Sequence, residues 1–281
     1  MTIAITGASG QLGRLAIQNL KTRTEADNIV ALARSPEKVA DLGVQARAFD
    51  YNKPETLAAA LDGVKTLALI SSSEFGDRVG QHTNVINAAK AAGVERIIYT
   101  SIVKCDASPM LIAMDHKGTE AALTASGMTY TLLRNNWYTE NWTASLPMAI
   151  EHGAIIGSAG DGKVTPTTRQ DLAEALAAVA VGEGHENKTY ELACDDPFTM
   201  ADLAAEASRQ TGKSIVFNNL PKEKFAEILD GLGLPPGFGA VVADADANAA
   251  KGWLFDDSKT LSRLIGRPTT SLKEAVAAAL G

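Results

Sequence analysis

The chain has 281 residues, 46% of them apolar and 21% charged, with a formal net charge of −7 at pH 7. Such a composition builds a full globular core, and the negative balance argues against nucleic acid as the main partner. Its two cysteines, Cys105 and Cys194, lie far apart with no CxxC between them, which argues against a disulfide scaffold and for free thiols in a reduced, cytoplasmic protein.

Strand and helix signals alternate from the first residues. Residues 2–6 form a short apolar strand with no basic or long apolar leader before it, so no signal peptide is expected. A glycine-rich turn follows and opens a helix to about Leu20. Strands are expected at 29–33, 44–49, 66–70, 96–100 and 129–133. Helices are expected at 36–42, 54–61, 77–92 and 115–126, the last three closed by Gly63, Gly93 and Gly127. Residues 102–114 lack a clean period and read as a loop. This alternation predicts an α/β fold, a doubly wound and mostly parallel sheet of Rossmann type covered on both faces.

After residue 136 the pattern loosens. One helix is expected at 137–150, with Pro147 near its end, then helices at 169–181, 200–211, 221–232, 241–250, 258–265 and 271–280. Short strands are expected at 154–156, 189–192 and 214–217. Residues 1–150 are assigned to the main domain. Residues 151–281 are assigned to a small mixed α/β lobe interleaved with the main sheet. No run of 18 apolar residues occurs, so no membrane span is expected.

Gly7-Ala8-Ser9-Gly10-Gln11-Leu12-Gly13 stands directly after the first strand. Glycines there allow a tight turn and close approach of backbone to a pyrophosphate, and the helix start offers free N–H groups and a favourable dipole. An NAD site often ends the second strand with a carboxylate for the ribose 2′-hydroxyl. Here the strand ends in Arg34, which suits a 2′-phosphate and so NADPH. Asp50 ends the third strand, either to accept from adenine or to cap the next helix. Ser71, Ser72 and Ser73 end the fourth, where ligands sit in such sheets, or where they cap a helix.

Those features, with Gly93-Val94-Glu95-Arg96-Ile97-Ile98-Tyr99-Thr100-Ser101 and Leu132-Leu133-Arg134-Asn135-Asn136-Trp137-Tyr138-Thr139-Glu140-Asn141, resemble the NmrA-like group of atypical short-chain dehydrogenases/reductases. Within that group the likeness is to its bacterial NADPH-dependent quinone reductases and triphenylmethane dye reductases. The resemblance implies a cleft between a Rossmann domain and a smaller lobe, with NADPH along Gly7 to Leu12 and Arg34 at the 2′-phosphate. It implies that Trp137, Tyr138, Thr139, Glu140 and Asn141 shape the nicotinamide end, with Thr168 and Arg169 near the same groove. Ser101 would stand on the nicotinamide side.

The chain departs from the superfamily in having no YxxxK; the matching segment reads Met114-Asp115-His116-Lys117-Gly118-Thr119-Glu120. The expected chemistry is therefore direct hydride transfer to a small planar conjugated acceptor, a quinone first, stacked on Trp137, Tyr138, Trp142 or Phe75. Lys117 and His116 are candidates for proton donation or carbonyl polarisation, or a surface feature of a helix start, with His116 and Glu120 neighbours at i,i+4. Dye reduction and non-catalytic redox sensing stay open as alternatives. The four histidines have no metal-ligand spacing, and a homodimer is compatible with this reading.

Overall fold

The computed structural model describes every residue except Ser73, Phe75, Leu234 and Pro236. Its strands are β1 (Ile3–Ile5), β2 (Ile29–Ala33), β3 (Gln45–Ala48), β4 (Thr66–Leu69), β5 (Arg96–Ile102), β6 (Thr129–Asn135), β7 (Ala154–Gly157), β8 (Lys188–Leu192) and β9 (Val216–Asn219). Seven of them form one parallel sheet in the order β3-β2-β1-β4-β5-β6-β8, and β7 pairs with β9 in a separate two-stranded sheet. The order reverses between β1 and β4, which opens a crevice at the carboxyl ends of those strands.

The helices are α1 (Gln11–Lys21), α2 (Pro54–Ala60), α3 (Arg78–Ala91), α4 (Leu111–Ala125), α5 (Thr139–Thr143), α6 (Leu146–His152), α7 (Arg169–Val181), α8 (Met200–Thr211), α9 (Lys222–Asp230), α10 (Phe238–Ala249), α11 (Thr260–Ile265) and α12 (Leu272–Leu280). The residues of β1, β2, β4 and β5 are all buried, and β1 and β2 are apolar throughout rather than alternating. Ile3 and Ile5 face a core built with α1, α7 and α11. Ala4, Leu67, Leu69 and Tyr99 face a second core with α2, α3 and α4. A third core, holding Trp142, Phe198 and Leu254, joins the later helices to the end of β5.

Several expected elements fall differently. Residues 36–42 form a 3₁₀ helix with Pro36 in its first turn. The expected helix over 137–150 breaks into α5 and α6. Pro147 has no N–H to donate into a continuing ladder, so it tolerates only the first turn of a new helix. The helix expected from Asp115 starts earlier, at Leu111, inside the stretch read as loop. Its start is set by a distant group: the Leu111 N–H donates to Asp244 Oδ2 at 2.8 Å, a carboxylate on α10. No local spacing announces such a cap.

Candidate active site

The glycine loop turns sharply because Gly7 holds a positive φ of 59°. A Cβ on Gly13 would stand 2.3 Å from the Gly7 carbonyl oxygen, so only glycine lets α1 start this close beneath the loop. Gly10 provides no side-chain cap and the first turn of α1 has no acidic residue. The free N–H groups of that turn therefore remain available to an anion.

A cavity of about 380 Å³ lies over this turn, walled by Gly7, Ser9, Gly10, Gln11, Leu12 and Gly13 on one side. Arg34, Asp50, Ser71, Ser72, Tyr138 and Arg169 line it as well. Ala8 is fully buried beneath the loop, its N–H donating to the Leu32 carbonyl, and contributes backbone shape rather than a wall. The Asp50 carboxylate accepts from the Asn52 N–H at 3.1 Å, so it fixes its own turn, while Lys53 occupies the cap position of α2. Ser73 and Phe75 lie outside the described residues.

Arg34 is exposed and its guanidinium is 2.5 Å from Glu74 Oε1. Glu74 Oε2 also accepts from the side chains of Asn52 and Gln81, at 3.3 and 2.9 Å. The acidic group that the β2 tip lacks is thus supplied by the segment after β4. Glu74, Asn52, Tyr51 and Gln81 all line the cavity and carry no sequence motif. Their only signal is position, just past the carboxyl ends of strands.

A second cavity, of about 300 Å³, adjoins the first and shares Ser71, Ser72, Tyr138 and Arg169 with it. Trp137, Asn135, His116, Ser101 and Arg78 line its inner part; Ile112, Phe238, Val241 and Val242 line it from α4 and α10. The indole N–H of Trp137 and the amide oxygen of Asn135 are buried without hydrogen-bond partners. Groups so placed are normally satisfied, and a ligand's polar atoms would satisfy them. Arg169 spans the junction: its guanidinium lies 4.2 Å from the Tyr138 ring centroid and 3.2 Å from Glu140 Oε2, and it donates to Asn141 Oδ1 at 3.1 Å.

Beneath the cleft, aromatic rings run continuously from Phe49 through Tyr51, His82 and Tyr99 to His116, with centroids 5.8, 6.0, 5.5 and 5.8 Å apart. His82 is fully buried. Its Nε2 accepts the Ser72 N–H at 3.0 Å, so its single proton sits on Nδ1 and is donated to Thr119 Oγ1 at 2.9 Å. Thr119 in turn donates to the Asp115 carbonyl at 3.0 Å. Burial, reinforced by the Arg78 charge, pushes the His82 pKa down to about 3. This neutral imidazole ties the serine segment shared by both cavities to α3 and α4. The sequence offered nothing to single it out.

Of the candidate catalytic residues, His116 and Ser101 line the second cavity, and Lys117 is not in its described lining. His116 lines the second cavity but is buried, and its Nδ1 lies 2.8 Å from the Tyr99 hydroxyl. Burial and then the Arg78 charge push its pKa down to about 3 as well. It makes no pair with Glu120, whose carboxylate is bonded by Arg134 and by the Ser101 hydroxyl. Ser101 is therefore already engaged, at 2.5 Å from Glu120 Oε1. Lys117 points elsewhere and donates to the Ser108 carbonyl at 2.8 Å. Trp142 is a core residue whose indole donates to Asp246 Oδ1 at 2.9 Å. Thr139 and Glu140 stand behind the cleft, where the Thr139 N–H bonds the Thr167 carbonyl and Glu140 Oε1 accepts the Arg169 N–H. Thr168 caps α7 through the Asp171 N–H.

Residues 7–181 match the family model described as NAD(P)H-binding. The chain is 53% identical over 277 residues to quinone oxidoreductase 2 of Escherichia coli (strain K12), covering 98% of this chain and 97% of that protein. The crystal structure of an NADPH-dependent quinone oxidoreductase from Escherichia coli complexed with NADPH superimposes with a TM-score of 0.97 at 52% identity, covering both chains fully. The triphenylmethane reductase of Citrobacter sp. complexed with NADP(H) superimposes with a TM-score of 0.94 at 39% identity, covering 99% of this chain and 100% of that one.

Proposed function

The chain belongs to the NAD(P)H-binding, NmrA-like family of short-chain dehydrogenases/reductases, and from that premise we propose that its two joined cavities hold NADPH and a flat acceptor end to end. It is an NADPH-dependent oxidoreductase acting on quinone-like substrates. One observation carries the acceptor half: the second cavity opens directly from the first and is walled by the Trp137 ring, whose indole N–H has no partner.

The loop from Gly7 to Leu12 and the uncapped start of α1 hold the pyrophosphate. Arg34 takes the 2′-phosphate, leaving Glu74 to do so. Asp50, Ser71 and Ser72 flank the adenosine side, and Tyr138 with Arg169 guards the passage to the second cavity. Bound NADPH supplies the hydride. Asn141 and Glu140 hold the Arg169 guanidinium over the Tyr138 ring, which fixes the height of that passage.

Trp137 donates its indole N–H, which lies in the plane of its ring, to an acceptor oxygen at the edge of that ring. His116 is neutral at physiological pH, so it acts as a hydrogen-bonding wall rather than as an imidazolium acid. Lysine is absent from the described lining of the second cavity, so we assign the final proton of the reduced product to solvent and Lys117 to helix support. We place the protein in the cytoplasm, which suits its buried free thiols. Among the described residues no helix is long and apolar enough to cross a membrane.

The test is NADPH oxidation followed by absorbance across benzoquinones, naphthoquinones and triphenylmethane dyes. Turnover with quinones is expected. Tight NADPH binding with no oxidation by any acceptor would return the chain to a sensing role.

A further inference from the structure

The acceptor cavity contains a charge that neither the sequence motifs nor the family likeness assigns. Arg78 opens α3, its side chain is 3% exposed, and it lines the cavity beside His116, Ser71 and Ser72. Its ion pair with Asp115, 3.2 Å from NH1 to Oδ2, is lopsided: the Asp115 side chain is 37% exposed. Water screens the carboxylate, while the guanidinium stays inside the protein wall. Among the described residues lining this cavity there is a second arginine, Arg169, and no carboxylate. Arg169 is already matched by Glu140.

We infer that Arg78 sets the charge preference of the acceptor site, favouring acceptors that gain negative charge on oxygen and disfavouring those that arrive as cations. This rests on the oxidoreductase reading above. A neutral quinone that takes up a hydride becomes a hydroquinone monoanion, and a proton from water then completes the product. Negative charge grows on its oxygen in the transition state, where a buried cation that needs no reorganisation is worth most. A triphenylmethane dye runs the other way. Its cationic carbon forms a C–H bond with the hydride and the product is neutral, so positive charge disappears and Arg78 opposes binding of the starting cation. The effect of Arg78 on its surroundings has the right sign: its charge adds to the burial that lowers the pKa of His82 and His116, disfavouring added positive charge, and opposes the burial that raises that of Tyr99.

The opposed signs give a test that a folding defect cannot imitate. Arg78→Gln is expected to lower kcat/KM for a neutral naphthoquinone about a hundredfold, the scale of losing one preorganised oxyanion partner, and to raise it for a cationic triphenylmethane dye. Arg78→Lys, which keeps the charge but not the planar fork, is expected to recover part of the quinone rate. NADPH affinity, measured by titration without acceptor, should stay within about twofold, well below one tenfold step in Kd. As a readout free of turnover, para-nitrophenol should bind the wild type as its coloured phenolate and the Gln variant as the neutral phenol. Equal losses with quinone and dye, or an unchanged phenol spectrum, would overturn the assignment while leaving quinone reduction intact. No turnover of quinone or dye by the wild type would remove the oxidoreductase reading and this inference with it.

Discussion

Arg34 and Glu74 meet on the surface, 69% and 42% exposed. Pairs this exposed contribute on the order of 1 kcal/mol or less, so the 2′-phosphate proposed to bind here, with more charge and more acceptor oxygens, would displace the carboxylate. Arg34→Ala should therefore weaken NADPH by roughly 10- to 100-fold, the span of a charge-assisted hydrogen bond or two, and leave NADH nearly unchanged. Glu74→Gln removes the competitor and should tighten NADPH by about two- to fivefold. Calorimetric titration of both cofactors decides the matter, and equal weakening of NADPH and NADH by Arg34→Ala would displace the phosphate from this corner. His82 and His116 make a second statement at this scale. Both are neutral in the fold, with pKa near 3 against an ordinary 6.5. Between pH 6.5 and 3 the unfolded chain binds protons that the folded chain refuses, so stability is full above that window and falls with acid. The slope approaches about 1.4 kcal/mol per pH unit for each imidazole. Urea midpoints measured from pH 7 downward should show it, and His82→Gln should flatten the slope.

At the scale of single elements, the site depends on where helices begin. α1 begins against the glycine loop, and Gly13→Ala would place a Cβ where the Gly7 oxygen stands. Loss of NADPH binding is expected, with destabilisation of about 1–3 kcal/mol from overpacking, readable as a lower melting temperature and a vanished cofactor-induced shift. α4 begins at Leu111 because Asp244 caps it, while Lys222 also binds that carboxylate at 2.6 Å. Asp244→Ala should cost about 0.5–2 kcal/mol, as cap losses do, and should raise the acceptor KM more than it lowers kcat, because Ile112 rides on the same turn. These two helices also mark what was legible in the sequence. The glycine loop, Arg34 and the bounds of β2 and α7 are local: strand, turn and helix are written in adjacent residues. The Asp244 cap, the His82 tie to Ser72 and Arg78 in the acceptor wall join residues from different helices or from a helix and a distant loop. No periodicity or spacing encodes a partner of that kind. His116 was visible as a residue type but not as a neutral one, since its environment comes from Tyr99 and Arg78.

Over the whole molecule, the C-terminal segment is clasped to the rest of the fold by carboxylates, the most buried of them Asp171, with Glu174 and Asp195 beside it. Asp171, fully buried in the first turn of α7, accepts from Arg267 at 2.7 Å and from the Thr270 N–H and hydroxyl at 2.8 and 3.0 Å. Without Asp171 the Thr270 N–H and hydroxyl lose their acceptor, while Arg267 keeps Glu174, 2.6 Å away. Asp171→Ala should therefore destabilise the fold by about 1–3 kcal/mol, a fall of several degrees in Tm, measured by differential scanning fluorimetry. An unchanged Tm would mean that Glu174, Asp195 and apolar packing hold the segment without it.

The seventh strand has a consequence for how the protein is made. β8 completes the sheet by pairing Lys188 to Leu192 with Thr131 to Asn135 of β6. During synthesis the other six strands of this sheet emerge first, and β6 then waits with one flank of N–H and C=O groups unpaired while some fifty further residues leave the ribosome. An open edge beside apolar Leu132 and Leu133 invites pairing with a neighbouring chain. A product ended at residue 181 would carry the whole cofactor loop and still precipitate, and the same product supplied with a peptide spanning 182–197 should stay in solution.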